Sequence, residues 1–139
     1  MPIAAARVKE IFIECVNEYC NEYATSVTQD EGLTLLKYTD GNKYDYHADG
    51  EWSIYRTVSG IIYLNPQDYV GGETHFKLFD LNLKPESPSI ALFPSNYAYM
   101  HAAMPVKSGT KYIFVTWMND MPHGFSTRIL SDLAMITGK

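Results

Sequence analysis

The stretch Thr57-Val58-Ser59-Gly60-Ile61-Ile62-Tyr63-Leu64, followed at once by Asn65-Pro66-Gln67-Asp68, decides the fold class. Its β-branched and aromatic residues suit a pleated strand, and the Asn-Pro-x-Asp cluster supplies the turn that ends it. The same grammar repeats on either side. Upstream, residues 33–38 and 44–47 read as strands around Asp40-Gly41-Asn42. Downstream, residues 75–79, 90–93, 97–101 and 112–117 read as strands, with Gly71-Gly72, Lys84-Pro85-Glu86-Ser87-Pro88 and Lys107-Ser108-Gly109 as turns. Seven or eight short strands with no long helix between them predict a mainly β fold, a double-sheet jelly roll or barrel with a helical buttress.

The buttress lies ahead of the strands. Val8, Phe12, Cys15, Tyr19 and Tyr23 recur at spacings of four and three, which predicts an amphipathic helix over about residues 4–23. Residues 25–32 then form a polar connection, the jelly-roll core covers about residues 33–118, and residues 119–139 form a C-terminal tail. Within that tail Ile129, Leu130, Leu133, Met135 and Ile136 suit a short amphipathic helix. No repeat, low-complexity tract or linker divides the 139 residues, so one domain is expected.

Composition narrows the function classes. Hydrophobic residues make up 46% and charged residues 19%, too apolar and too evenly mixed for a disordered chain. Sixteen acids against eleven Lys and Arg leave a net charge of −5 with no basic cluster, which argues against a nucleic-acid surface. No apolar run reaches the roughly 20 residues a membrane-spanning helix needs. The start, Met-Pro-Ile-Ala-Ala-Ala-Arg, lacks a basic segment followed by a long apolar one, so no secretory signal is expected. Cys15 and Cys20, five apart on a helix, point in well-separated directions, and unpaired cysteines suit a reducing cytoplasm.

Four histidines are available for chemistry: His47, His75, His101 and His123. His47-Ala48-Asp49 stands out because residues i and i+2 of an extended chain share a face, so both side chains can converge on one point. One more histidine from another strand would complete two imidazoles and a carboxylate, a facial set associated with non-haem Fe(II). His101, at the end of a strand-like run, is the natural third member. On composition alone His75 and His123 compete with it, and a lone His-x-Asp also fits an ordinary turn or surface pair.

The residues around these positions form an ordered series. It comprises Leu35-Leu36-Lys37-Tyr38, Tyr44-Asp45-Tyr46-His47-Ala48-Asp49, Arg56, Tyr63-Leu64-Asn65, Gly71-Gly72-Glu73-Thr74-His75-Phe76 and Leu92-Phe93-Pro94-Ser95. It ends with His101, Pro105-Val106, Gly109, Lys111 and Trp117. In order and spacing this series resembles the prolyl-4-hydroxylase-like branch of the Fe(II)/2-oxoglutarate-dependent dioxygenases. The resemblance implies a double-stranded β-helix with His47, Asp49 and His101 as iron ligands and Lys111 as the cation for the distal carboxylate of 2-oxoglutarate. It places Tyr63 and Thr74 near that carboxylate, Tyr38 near the metal-proximal end, and Arg56 and Trp117 facing the primary substrate. Fe(II), 2-oxoglutarate and O2, with ascorbate as reductant, are the cofactors and co-substrates implied.

That resemblance also implies hydroxylation of an unactivated C–H, with a prolyl residue in a peptide or protein as first choice of substrate; the charge and the lack of a long apolar run predict no nucleic-acid or membrane partner. Tyr44, Tyr46, Trp52 and Tyr55 are candidate aromatic walls for an extended Pro-containing chain. The alternatives are the same chemistry on a free amino acid or other small molecule, a metal-binding jelly-roll module without turnover, and a cupin-like enzyme using no 2-oxoglutarate. Some positions depart from the pattern. Pro88-Ser89 and Ala103 stand where relatives commonly carry glycine, and the helix ahead of the first strand is shorter than usual. None of these removes a candidate ligand.

Overall fold

Residues 58–63 form a strand buried along its whole length, and the rest of the molecule is arranged around it. The structure is a computed structural model and describes residues 2–51 and 54–120. Helix α1 (Pro2–Glu22) is followed by β1 (Gln29–Asp30), β2 (Thr34–Tyr38), β3 (Tyr44–His47), β4 (Val58–Tyr63), β5 (Tyr69–Gly71) and β6 (Thr74–Phe76). Next come β7 (Leu81–Leu83), β8 (Ser89–Pro94), β9 (His101–Ala103), β10 (Val106–Gly109) and β11 (Lys111–Asn119).

All pairings are antiparallel, and they make a double-sheet jelly roll. The major sheet runs β8-β4-β11, with β2 and β1 sharing the far edge of β11. Its register is set by Tyr63 opposite Ile113 and Ser89, and by Lys111 opposite Tyr38. The minor sheet runs β3-β9-β6-β7, and β10 pairs with β5 as a separate ribbon.

Alternation along β4 gives the two layers their cores. Val58 and Ile62 face the helix, where they pack with Phe12, Val16 and Met118. Ile61 and Tyr63 face inward, where they meet Phe93, Ile113 and Phe76 of the minor sheet. Gly60 is required by the first contact: a Cβ there would lie 2.9 Å from Phe12 Cε2 and Cζ, so the bare backbone is the seat of the Phe12 ring. The apolar stripe of α1 is therefore Val8, Phe12, Val16, Tyr19 and Cys20. Tyr23, expected on it, is 67% exposed, because the helix ends at Glu22 and Ala24 turns to a positive φ of 49°. Both cysteines are unpaired.

Several short elements differ from expectation. The strand expected over residues 75–79 stops at Phe76, turns through Asp80 at φ 48°, and returns as β7. Residues 97–101 do not form one strand. Asn96 caps a single 3-10 turn, Tyr97–Tyr99, by accepting a hydrogen bond from the Ala98 amide, and β9 begins only at His101. Lys107-Ser108-Gly109, expected as a turn, belongs to β10 because its backbone pairs with β5. Asn119, assigned to the tail, extends β11. The expected C-terminal helix, His123 and Trp52 lie outside the described residues.

Candidate metal centre

β3 and β9 are neighbours with His47 directly opposite His101, so two imidazoles 54 positions apart in sequence stand with ring centroids 4.4 Å apart. Asp49 follows just past the end of β3 and reaches both. Its Oδ1 is 3.2 Å from His47 Nε2 and its Oδ2 is 3.7 Å from His101 Nε2. One ligand atom from each of the three residues lies within 4.8 Å of the others. His101 and Asp49 are buried, and His47 is partly exposed.

The hydrogen bonds fix which nitrogen is available. His47 Nδ1 donates to the Asp45 carbonyl (2.8 Å) and His101 Nδ1 donates to the Tyr99 carbonyl (2.9 Å), since a carbonyl can only accept. Both Nε2 atoms are thereby turned toward the Asp49 carboxylate. Lone pairs on two imidazoles and a carboxylate converging without a positive centre would repel, so the cluster suits a shared cation or, failing that, a proton. Burial lowers the His47 pKa, but the hydrogen bonds to Asp49 and the Asp45 carbonyl outweigh it and leave the group above its ordinary value. Burial raises the Asp49 pKa, but bonds to His47 and Ser59 and the neighbouring His101 bring it below the usual carboxylate range. His101 is pushed down, chiefly by burial. Two imidazoles that offer their Nε2 atoms and one ionised carboxylate, with an open side, fit a divalent iron site.

Ser59 is a part of the site that sequence reasoning missed. Its buried hydroxyl donates to Asp49 Oδ2 at 2.6 Å and lies 2.8 Å from Ser95 Oγ, while the Ser95 carbonyl accepts from the Gly50 amide at 2.7 Å. These bonds hold the carboxylate rotamer. They join β4, the end of β8 and the Asp49 loop, so no local spacing announces them.

The second half of the site comes from the major sheet. Lys111, the first residue of β11, is 1% exposed, and its Nζ donates to the Gly72 carbonyl at 2.7 Å. Gly72, at φ 65°, presents that carbonyl, and a Cβ on it would crowd Lys111 Cδ at 3.3 Å. The ammonium also lies 5.2 Å from the Tyr38 ring centroid and 5.8 Å from that of Tyr63. Burial lowers its pKa to about 8, partly offset by Glu73. A buried cation with no ion-pair partner among the described residues is a costly arrangement that a bound anion would relieve.

Lys111, Thr74 and Tyr38 line the same cavity of about 390 Å³ as His47, Asp49 and His101. That is a volume suited to a small ligand. Tyr63 stands behind this wall, its hydroxyl 2.6 Å from Thr74 Oγ1 and its pKa raised by burial. Arg56 and Trp117 also line the cavity, and the Arg56 Cζ lies over the Trp117 ring, 3.9 Å from its centroid. Arg56 donates to Glu31 through Nε and Nη2 (2.7 Å each) and to the Asp49 carbonyl through Nη1 (3.2 Å). Glu31 lies in the connection read as merely polar.

Of the expected aromatic walls, Tyr44 lines the cavity and is half exposed. Tyr46 does not. Next to His47 in β3 it points to the opposite face, where its hydroxyl meets His75 Nδ1 at 2.5 Å. His75, on that outer face of β6, bonds Asp80 through Nε2 at 3.1 Å and stands apart from the triad.

Comparison with known proteins agrees with this geometry. The sequence profile of the 2OG-Fe(II) oxygenase superfamily matches residues 33–119. A PKHD-type hydroxylase of Sphingopyxis alaskensis is 30% identical over 63% of this chain and 43% of its own. Two solved structures share the fold. A viral collagen prolyl hydroxylase from Paramecium Bursaria Chlorella virus-1 has TM-score 0.64 and 24% identity over 80% of this chain and 72% of its own. A Trichoplax adhaerens prolyl hydroxylase in complex with a hypoxia inducible factor peptide fragment has TM-score 0.59 and 23% identity over 68% and 46%. The chain spans about half the length of the curated relatives it matches.

Proposed function

The chain belongs to the 2OG-Fe(II) oxygenase superfamily, and from that premise we propose that it is a 2-oxoglutarate-dependent dioxygenase that hydroxylates a prolyl residue in a peptide or protein. The observation that carries this reading is one cavity holding both the His47-Asp49-His101 cluster and the buried Lys111 ammonium. Relatives described as a PKHD-type hydroxylase and as prolyl hydroxylases, one in complex with a peptide, support the choice of substrate.

In this reading His47 and His101 offer their Nε2 atoms, and Asp49 a carboxylate oxygen, to Fe(II). Ser59 keeps that carboxylate from rotating away. Bound there, Fe(II) supplies the redox chemistry that converts O2, 2-oxoglutarate and a C–H bond into an alcohol, succinate and CO2. Lys111 pairs with the distal carboxylate of 2-oxoglutarate, a charge-assisted bond strengthened by the burial of the ammonium. Thr74, held by Tyr63, adds a hydroxyl to the same end, and Tyr38 contributes a wall of the cavity with its ring centroid 5.2 Å from the Lys111 ammonium. Arg56 and Trp117 form the substrate face. The two unpaired cysteines on α1 suit a reducing compartment such as the cytoplasm. No helix of the described residues is long and apolar enough to cross a membrane.

The test is succinate release from 2-oxoglutarate with Fe(II), ascorbate and a panel of proline-rich peptides, with mass spectrometry of the peptides. A mass gain of one oxygen on a prolyl residue is expected, lost in Asp49→Asn and kept in His75→Ala. Succinate without peptide modification would redirect the search to free amino acids or other small molecules.

A further inference from the structure

Glu31 forms a closed unit with two residues of the substrate face. Its amide donates to the Trp117 carbonyl at 3.0 Å, which fixes its backbone to β11. Its carboxylate takes the Arg56 guanidinium in a two-pronged pair at 2.7 Å on each prong. The guanidinium sits over the Trp117 ring and is tied to the Asp49 carbonyl, contacts that hold it in place beside Glu31. Among the described residues, Arg56 and Lys111 are the Lys and Arg side chains lining the cavity, and Lys111 is the buried one. With Arg56 engaged by Glu31, and the exposed Glu51 also on the lining, the described residues leave the outer part of the cavity without an available positive charge.

We propose that Glu31 sets the charge selectivity of the substrate face: it withholds Arg56 from carboxylates, so the cavity takes a residue flanked by neutral amide groups and rejects the same residue as a free acid. This rests on the proposed hydroxylase reading and narrows it to a residue within a chain. The physical reason is competition. A bidentate carboxylate already in place has to be displaced before Arg56 can receive another, and an acid entering unpaired would meet the Glu51 carboxylate on the lining. A neutral amide needs no countercharge and still finds the remaining Arg56 N–H groups as donors.

The test compares N-acetyl-L-proline with N-acetyl-L-prolinamide, alike in size and different in charge. Both are titrated calorimetrically, without oxygen, into protein loaded with Fe(II) and 2-oxoglutarate. Wild type is expected to favour the amide by about tenfold or more, the scale of one charge-assisted hydrogen bond. Glu31→Gln should shift the ratio toward the acid by a similar factor, and Glu31→Gln with Arg56→Gln should return it toward the amide. Equal affinities in wild type, a ratio unchanged by Glu31→Gln, equal weakening of both ligands, or binding of neither would each overturn the proposal. Peptide-driven succinate release in the same preparations reports on the hydroxylase reading separately: its survival alongside an unchanged ratio defeats only the role of Glu31.

Discussion

Lys111 places an ammonium where water barely reaches, and its behaviour follows from that position. Lys111→Ala should raise the dissociation constant for 2-oxoglutarate by about tenfold or more while leaving iron binding nearly intact, because it removes a charge-assisted pair and no metal ligand. Calorimetry with each ligand in turn checks both halves. The pH dependence has a definite sign. The ammonium is the anion-binding form and its pKa is depressed to about 8, so 2-oxoglutarate affinity should weaken as pH rises beyond that value. An affinity flat from pH 7 to pH 10 would count against the pairing, since about two pH units is ample to discharge such a group. Much of the candidate site was legible at this scale: His47 and Asp49 announce themselves by alternation, and His101 and Lys111 by their places in a familiar series. Ser59 and Glu31 were hidden because each acquires its role from partners on other strands, which no spacing within one segment encodes.

Among the elements, α1 and β4 meet through one ring on one glycine. Gly60→Ala places a methyl carbon 2.9 Å from the Phe12 ring, so the ring, or the helix that carries it, has to give way. A loss of about 1–3 kcal/mol is expected, measured by denaturant unfolding. Phe12→Ala should cost about 3–5 kcal/mol by emptying the same seat. A combined variant should lose less than the sum, since the ring that the methyl strikes is then gone. The long strands were readable because β-branched runs such as residues 58–63 carry their own signal. β5, β7 and β10 were not, being three- and four-residue pieces defined only by the backbone they pair with. Around residues 97–101, Asn96 capping overrode aromatic strand propensity, a local hydrogen bond winning over side-chain preference.

At the scale of the whole molecule, the site draws on stability to obtain its cation. Lys111 has a folded pKa of about 8 against an ordinary 10.5, so the folded state holds the proton less tightly than the unfolded one. Its protonation therefore opposes folding below pH 8, and the opposition fades as pH rises from about 8 toward 10.5. Lys111→Met should stabilise the metal-free protein at pH 7 by about 1–3 kcal/mol, reduced by the lost bond to Gly72, and lose 2-oxoglutarate binding. The gain should shrink over that same pH interval, as read from denaturation midpoints.

The division of the site between the sheets has one more consequence. The imidazoles belong to the minor sheet and the ammonium to the major one, so a co-substrate anchored at both ends would rivet the two leaves of the molecule across their seam. Metal alone, tied to the major sheet only through the Asp49–Ser59 bond, would quiet chiefly the minor leaf. Metal and 2-oxoglutarate together should slow amide hydrogen exchange in both, locking the breathing of the roll at the moment the reactive centre is armed.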